Sequence, residues 1–227
     1  MRQSLNRIFV LHLPPCIAET GLMQRALACV SAAKRERLQK LCCKGEYERI
    51  LLGDYLLRHV LSDVTDTAPE QLAFAFGAHQ KPYLPARPDV HFNLSHSGEY
   101  AVCAVSDQET GIDTEQPARI EHTLAREFFH TDEAAFLDSL PETQYQEYFF
   151  RLWTLKEAYV KYLGTGLTTA LGSFSFVGAD RIFYTHAFAP ELYFAQFRLS
   201  GEMGYFVSVC GRSRICEICN LTPADLL

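Results

Sequence analysis

Two segments of helical periodicity do most to limit the folds open to this chain. The first runs from Lys34 to about Val64, and a predicted break at Gly45 divides it into two helices. The second runs from about Tyr145 to Leu163. The first segment places these apolar residues on one stripe at 3.6 residues per turn: Tyr47, Ile50, Leu51, Leu57 and Leu61. Such a stripe must be buried against another layer of structure.

Alternating apolar residues predict strands on both sides of these helices. The predicted strands are Ile8 to Leu13 (ended by Pro14 and Pro15), Leu72 to Phe76, Val90 to Leu94, "YAVCAV", Tyr193 to Leu199 and Tyr205 to Val209. A further helical stretch covers about Ile120 to Leu140. Together these elements predict the α+β fold class. The stretches "SGEYAVCAV" and "GEMGYFVSV" resemble each other, which either two similar halves or a chance likeness between hairpins explains.

The charge balance argues against a general nucleic-acid binder. The 227 residues carry a net charge of −6 with a pI near 5.7, so the surface as a whole would repel DNA. No apolar run approaches the roughly 20 residues of a membrane-spanning helix, and the first residues lack the apolar core of a signal peptide. Eight unevenly spaced cysteines favour ordinary thiols over a zinc site. We therefore expect a cytoplasmic protein that binds neither nucleic acid nor membrane.

Two acids in "GIDTE", Asp113 and Glu115, would share one face of a strand. Carboxylates held side by side repel each other unless a proton or a cation lies between them. Magnesium commonly binds one or two carboxylates together with substrate phosphates. A solvent-facing turn carrying two acids is the alternative interpretation of this pentapeptide.

"RLWTLKEAYVKYLGTGL" places Glu157 and Lys161 four residues apart on one helix face, shared with Trp153. Glu157 is a candidate third metal ligand or general base, and Lys161 a candidate phosphate partner. A solvated ion pair would explain the same spacing. Lys156 points elsewhere and is expected to be a surface residue or a support.

"FNLSHS" offers hydroxyls, an imidazole and backbone N–H groups after a buried strand, which suits a phosphate. Ser95 and Ser97 lack the GxSxG elbow of a serine hydrolase, so that alternative is set aside. Four basic residues could converge on a polyanionic ligand or simply be exposed charges: Lys34, Arg37, Arg49 and Lys81.

The motifs along the chain are, in order, a basic helix start, "ERILLGDYLLR", "KPYLP", "FNLSHS", "GIDTE" and "WTLKEAYVKYLGTGL". Their order resembles that of the 4′-phosphopantetheinyl transferases, specifically the long, monomeric, surfactin-synthetase-activating (Sfp) type. The resemblance runs from about Lys34 to Gly166. It implies an enzyme that moves the phosphopantetheine arm of coenzyme A to a serine of an acyl or peptidyl carrier protein and releases 3′,5′-ADP. It also implies two similar α/β halves with pseudo-twofold symmetry, here residues 1–107 and 108–227, with the site between them.

The resemblance also implies roles for individual residues. Asp113, Glu115 and Glu157 would hold magnesium, with manganese as an alternative, and Glu157 would be the base for the incoming serine. Asp113 and Lys161 would contact both the coenzyme A pyrophosphate and the reacting groups. The nucleotide and its 3′-phosphate would be bound by Ser95, His96, Lys34, Arg37, Arg49 and Lys81.

Three residues depart from the family pattern: Gln80 stands where many members have glycine, Ile50 where some have a hydroxyl residue, and Thr114 where an aliphatic residue is common. Thr114 is expected to add a hydroxyl near the waters of the metal if the backbone turns there. Two other functions stay open, a metal-dependent nucleotide phosphohydrolase and a non-catalytic coenzyme A-binding module. The intact acidic trio weighs against the second of these.

Overall fold

The computed structural model describes residues 5–13, 21–41, 43–178, 181–182, 191–200 and 204–227. Its helices are α1 (Leu22–Cys29), α2 (Ala32–Gln39), α3 (Lys44–Thr65), α4 (His122–Phe128), α5 (Thr131–Asp138) and α6 (Glu142–Leu163). Its strands are β1 (Arg7–His12), β2 (Ala75–Phe76), β3 (Pro82–Tyr83), β4 (His91–Ser97), β5 (Tyr100–Ser106), β6 (Thr110–Glu115), β7 (Val177–Gly178), β8 (Arg181–Ile182), β9 (Tyr193–Leu199), β10 (Tyr205–Gly211) and β11 (Glu217–Leu221).

Two larger sheets organise these strands. One has the order β11-β1-β5-β4, in which β11 runs parallel to β1 and the other pairs are antiparallel. The other is antiparallel, with the order β6-β10-β9. The almost fully apolar strands β5 and β10 are central in their sheets, where both faces are covered. Two further antiparallel pairs of short strands join β2 with β3 and β7 with β8.

The two sheets face each other between two long helices. On β1, Ile8 and Val10 point into a core shared with Ile112 and Val207 of the second sheet. The alternate residues of β1 point into a separate core with α3, because successive side chains of a strand face opposite ways. A third core, rich in aromatic rings, packs α6 against α4, α5 and β10. The layers are therefore helix, sheet, sheet and helix.

The α+β prediction is confirmed, and most predicted elements lie where the periodicity indicates. The break in the first helical segment is misplaced: α2 ends at Gln39, and Gly45 lies in the first turn of α3. The strand predicted from Leu72 to Phe76 covers only Ala75–Phe76, the two residues that pair with Pro82–Tyr83. Pro14 and Pro15, predicted to end the first strand, lie outside the described residues, as do residues 201–203 of the second hairpin-like stretch.

The predicted division at residue 107 coincides with the passage from β5 to β6, which belong to different sheets. The last strand, β11, nevertheless pairs with β1 at the start of the chain. The twofold relation between halves stays a prediction. In the described part of the chain, no helix combines the length and the apolar character needed to cross a lipid bilayer.

Candidate functional site

Helix α6 and strand β6 cross in close contact, and Gly111 makes that contact possible. A Cβ at this position would collide with the backbone oxygen of Ala158 and the backbone nitrogen of Tyr162 on α6. Backbone atoms of a helix cannot rotate away as a side chain can. The absence of a side chain at residue 111 therefore sets how near the acids of β6 lie to the polar face of α6.

The predicted partners Asp113, Ser95 and Lys161 meet at this crossing. Asp113 Oδ1 accepts hydrogen bonds from Lys161 Nζ at 2.6 Å and from Ser95 Oγ at 2.9 Å. Lys161 Nζ also donates to Ser95 Oγ at 2.9 Å. The second carboxylate oxygen, Asp113 Oδ2, is buried and has no hydrogen-bond partner among the described residues. The site thus contains an acid that is half satisfied and largely shielded from water.

Glu115 and Glu157 share the electrostatic environment of Asp113. Burial, followed by the charge of Asp113, raises the pKa of Glu115 to about 7. The same two causes raise the pKa of Glu157, and Lys161 opposes the rise. Both carboxyls are partly buried, which argues against the solvated ion pair as an explanation of the Glu157–Lys161 spacing. The charge of Asp113 thus disfavours the ionisation of both glutamates, and a bound cation would offset this repulsion.

The predicted three-carboxylate metal site is not preformed. Among the residues that the structure describes, no group of three or more His, Cys, Asp or Glu side chains could hold a metal ion by itself. The ammonium of Lys161 lies against Asp113 Oδ1 instead. The buried free oxygen of Asp113 and the raised pKa values of Glu115 and Glu157 still fit a divalent cation that takes its remaining ligands from water or from a substrate.

The Ser-His-Ser run was predicted to follow a buried strand. It is instead the last part of strand β4. Ser95, His96 and Ser97 continue the pairing with β5, opposite Val102, Ala101 and Tyr100. Their backbone N–H groups therefore belong to a sheet edge and are not freely directed donors. The side chains of this strand carry the polar contacts of the site.

His96 lies in a cationic environment and packs toward Gly53 of α3. Burial, then the charges of Arg49 and Lys161, and to a smaller extent Lys34, lower its pKa to about 4. The imidazole is therefore neutral at pH 7. Arg49 donates from Nη1 to the carbonyl of Gly98 at 3.4 Å, while its buried Nε has no partner among the described residues.

Lys34 and Arg37 line a cavity of about 710 Å³ beside α2 and α3. Lys34 hydrogen-bonds the buried carboxylate of Asp54, which also accepts from Arg58 Nε at 3.1 Å. Ser31 caps α2 by accepting from the backbone nitrogen of Lys34 at 3.2 Å, so Lys34 stands in the first turn of this helix, whereas Arg37 stands in its last turn. Arg37 is exposed at the cavity wall. The cavity thus combines fixed cations with an apolar lining.

Lys81 is the predicted residue that the structure does not bring to this cluster. Its Nζ donates to Glu109 Oε2 at 2.8 Å and to the carbonyls of Thr110 and Tyr162 at 3.1 and 3.2 Å. It lines a different cavity of about 450 Å³, next to His91. All three donors of this ammonium are engaged, so its role as a nucleotide ligand stays a prediction.

Lys156 is a support and not a surface residue. The side chain is fully buried, donates to the carbonyls of Leu171 at 2.8 Å and Phe174 at 2.7 Å, and pairs with the equally buried Glu133 at 2.7 Å. Glu133 in turn accepts from the backbone nitrogen of Phe176 at 2.8 Å. This network ties α6 to α5 one residue before Glu157.

The three departures have distinct structural settings. Thr114 keeps the regular pairing of β6 with β10 and is completely buried on the face opposite to Asp113, with no partner for its hydroxyl among the described residues. The backbone turn on which the expected hydroxyl near the metal depended is therefore not present at this residue. Gln80 has φ of 65°, a left-handed conformation that glycine adopts without strain. Ile50 lines the larger cavity beside Lys34.

Sequence reasoning missed several residues of the site. Asn93 and Ser97 contact β6 through their side chains, and Asp54 holds Lys34. The available signal was the alternation of polar residues at 93, 95 and 97, which places three polar side chains on one face of a strand.

Comparisons with known proteins identify the family of this chain. The family model for the 4′-phosphopantetheinyl transferase superfamily matches residues 109–210, and that for the 4′-phosphopantetheinyl transferase N-terminal region matches residues 18–108. Both matches extend beyond the motif-bearing stretch from Lys34 to Gly166. A 4′-phosphopantetheinyl transferase of Bacillus subtilis is 40% identical over 157 residues, which cover 68% of this chain and 69% of that protein. The transferase Sfp of B. subtilis strain 168 is 36% identical over 67% of this chain and 68% of its own length, and psf-1 of Bacillus pumilus is 36% identical over 74% and 73%.

Proposed function

Because the chain belongs to the 4′-phosphopantetheinyl transferase superfamily, we propose that it moves the phosphopantetheine arm of coenzyme A to a serine hydroxyl of an acyl or peptidyl carrier protein. One observation carries the proposal for this chain: Asp113, which contacts the ammonium of Lys161 at 2.6 Å, raises by its charge the pKa of both Glu115 and Glu157. Phosphoryl transfer requires carboxylates that bind a metal ion and, next to them, a positively charged side chain that binds a phosphate.

The cationic cluster around His96 suits the nucleotide part of coenzyme A. Lys34 on α2, Arg49 on α3 and Lys161 on α6 all act on this imidazole. A 3′-phosphate and a pyrophosphate would neutralise these charges, and the neutral imidazole would donate or accept a hydrogen bond. Arg37 at the cavity beside Lys34 would add a further contact. An acidic protein can therefore still bind a polyanion at one place.

The proposed chemistry is a displacement at the β-phosphorus of coenzyme A. The serine oxygen of the carrier forms a bond to this phosphorus, the bond to the bridging oxygen breaks, and 3′,5′-ADP leaves with that oxygen. Glu157 takes the hydroxyl proton, for which its raised pKa suits it. Lys161 stabilises charge on a phosphate oxygen, which requires that its contact with Asp113 be exchanged for substrate.

Asp113, through its free oxygen, with Glu115 and Glu157, would hold magnesium, or manganese in its place. When bound, the metal neutralises charge that develops on the pyrophosphate. The absence of a preformed three-residue site in the described residues agrees with a metal that arrives with the phosphates. We further propose a cytoplasmic monomer that binds neither nucleic acid nor membrane, with residues 1–107 and 108–227 as its two halves.

Intact-protein mass spectrometry of an apo carrier protein, incubated with this protein, coenzyme A and magnesium, tests the proposal. A gain of one phosphopantetheine that EDTA prevents is the expected result. Glu157→Gln should keep coenzyme A binding and slow transfer by roughly 10²-fold or more, the contribution of a general base. Glu147→Gln is the matched control on the same helix, because Glu147 is exposed and its ion pair with Arg198 is long, at 3.8 Å.

Two outcomes would count against the proposal. Cleavage of coenzyme A without modification of any carrier would favour a phosphohydrolase. Coenzyme A binding that survives in both variants, without any turnover in the wild type, would favour a binding module.

A further inference from the structure

Strands β4 and β6 lie side by side at the seam between the two large sheets, although they belong to different sheets. Side chains join them where backbone pairing does not. The backbone nitrogen of Ile112 donates to Asn93 Oδ1 at 2.9 Å, that of Thr114 to Ser95 Oγ at 3.3 Å, and that of Gln116 to Ser97 Oγ at 3.1 Å. These contacts form a ladder with a two-residue step on each strand, here called the seam ladder.

The two serine rungs of the seam ladder are built alike, except that Ser95 Oγ also accepts from Lys161 Nζ at 2.9 Å. Ser95 accepts from the N–H of residue 114 and donates to Asp113 Oδ1 at 2.9 Å. Ser97 accepts from the N–H of residue 116 and donates to Glu115 Oε2 at 2.9 Å. Each hydroxyl therefore hydrogen-bonds two groups: the carboxylate of an acid and the backbone N–H of the residue that follows this acid. A hydroxyl, with one donor hydrogen and two acceptor lone pairs, suits this double role.

The Asn93 rung has no carboxylate to hold. The residue of β6 at the position equivalent to Asp113 and Glu115 is Gly111, which must lack a side chain for α6 to approach. The rung at Asn93 therefore supplies an acceptor to β6 without a carboxylate to hold. Buried backbone N–H groups at a strand edge need such acceptors.

We propose that Ser97 is a positioning residue, which with Ser95 fixes the two carboxylates of β6 side by side, while Asn93 sets the register of β6 against β4. A carboxylate whose rotamer is held by a hydrogen bond loses less conformational entropy when it binds a ligand. The part of this inference that concerns metal binding rests on the proposed function. The ladder itself does not.

The test uses the full chain with Ser97→Ala, Ser97→Thr and a control, Ser106→Ala. Ser106 is a buried strand serine whose hydroxyl donates to Asn6 at 2.7 Å, away from the acids. Amide hydrogen exchange by NMR reports the rungs directly. Protection of the Gln116 amide should fall by about an order of magnitude in Ser97→Ala and recover in Ser97→Thr.

Calorimetric titration of magnesium in the presence of coenzyme A measures the second consequence. Ser97→Ala should weaken magnesium binding by about 10-fold, as is usual when a group that holds a metal-binding side chain is lost, without changing the affinity for coenzyme A. In a Glu115→Gln background the same substitution should have no further effect, because Ser97 acts through that carboxylate.

Unchanged Gln116 protection in Ser97→Ala would overturn the ladder. Equal effects of Ser97→Ala and Ser106→Ala on magnesium binding, or additive effects of Ser97→Ala and Glu115→Gln, would overturn the positioning role. If the wild type binds no magnesium and modifies no carrier, the proposed function fails, while lost protection at Gln116 would still support the ladder.

Discussion

Lys156→Met should destabilise the protein more than any change of comparable size on its surface. Lys156 and Glu133 are both fully buried, and the ammonium satisfies a carboxylate and two backbone carbonyls. Burial lowers the pKa of Lys156 and the charge of Glu133 opposes this, which is the balance expected of a well-compensated internal pair. Methionine would fill much of the space but leave the charge of Glu133 without its counterion.

Removal of one partner of a buried ion pair costs about 3–5 kcal/mol, so we expect a loss of about 4 kcal/mol in the free energy of unfolding. For a chain of this length that is roughly a 10 °C lower melting temperature. The double variant Glu133→Gln, Lys156→Met should regain about 2 kcal/mol, because no isolated charge is then buried.

Urea unfolding followed by tryptophan fluorescence measures these values, since Trp153, the single tryptophan, packs among Phe129 and Phe149 close to the network. Lys40→Met, at an exposed position, is the control and should change stability by less than about 0.5 kcal/mol. A loss below about 1 kcal/mol in Lys156→Met, or a double variant less stable than Lys156→Met, would refute the reasoning.

Three further predictions concern strand β6. Gly111→Ala should lower the free energy of unfolding by about 3 kcal/mol and abolish transfer, because the new Cβ meets the helix backbone at Ala158 and Tyr162. Thermal unfolding and the carrier assay measure these effects, and wild-type stability and activity would contradict the prediction. Thr114→Val should stabilise the protein by about 1 kcal/mol, since it removes a buried hydroxyl without a described partner, and a lower melting temperature would argue for a partner of that hydroxyl. The pKa of Glu115 is raised in the folded protein, so its contribution to the stability of the metal-free protein is full below its ordinary pKa and is lost as the pH rises through about 7. Glu115→Gln should therefore flatten the decline in melting temperature between about pH 5 and 8. An unchanged profile of melting temperature against pH would count against the raised pKa.

The family motifs lie in contiguous stretches, so the acids of "GIDTE", the helix with Glu157 and Lys161 and the α+β class were all predictable from the sequence. Period-two spacing placed Asp113 and Glu115 on one strand face, and period-3.6 spacing placed Glu157 and Lys161 on one helix face. Local geometry determines such relations because they involve a few residues of one element.

Relations between elements were decided only by the tertiary structure. The sequence left Lys156 as either a surface residue or a support, because nothing nearby in sequence shows that Glu133 and the carbonyls of residues 171 and 174 surround it. Likewise, nothing near Lys81 in the sequence shows that its ammonium contacts Glu109 and two backbone carbonyls; its role as a nucleotide ligand stays a prediction. Periodicity specifies the face on which a side chain lies, whereas its partner depends on how separate elements pack, and those contacts join residues far apart along the chain.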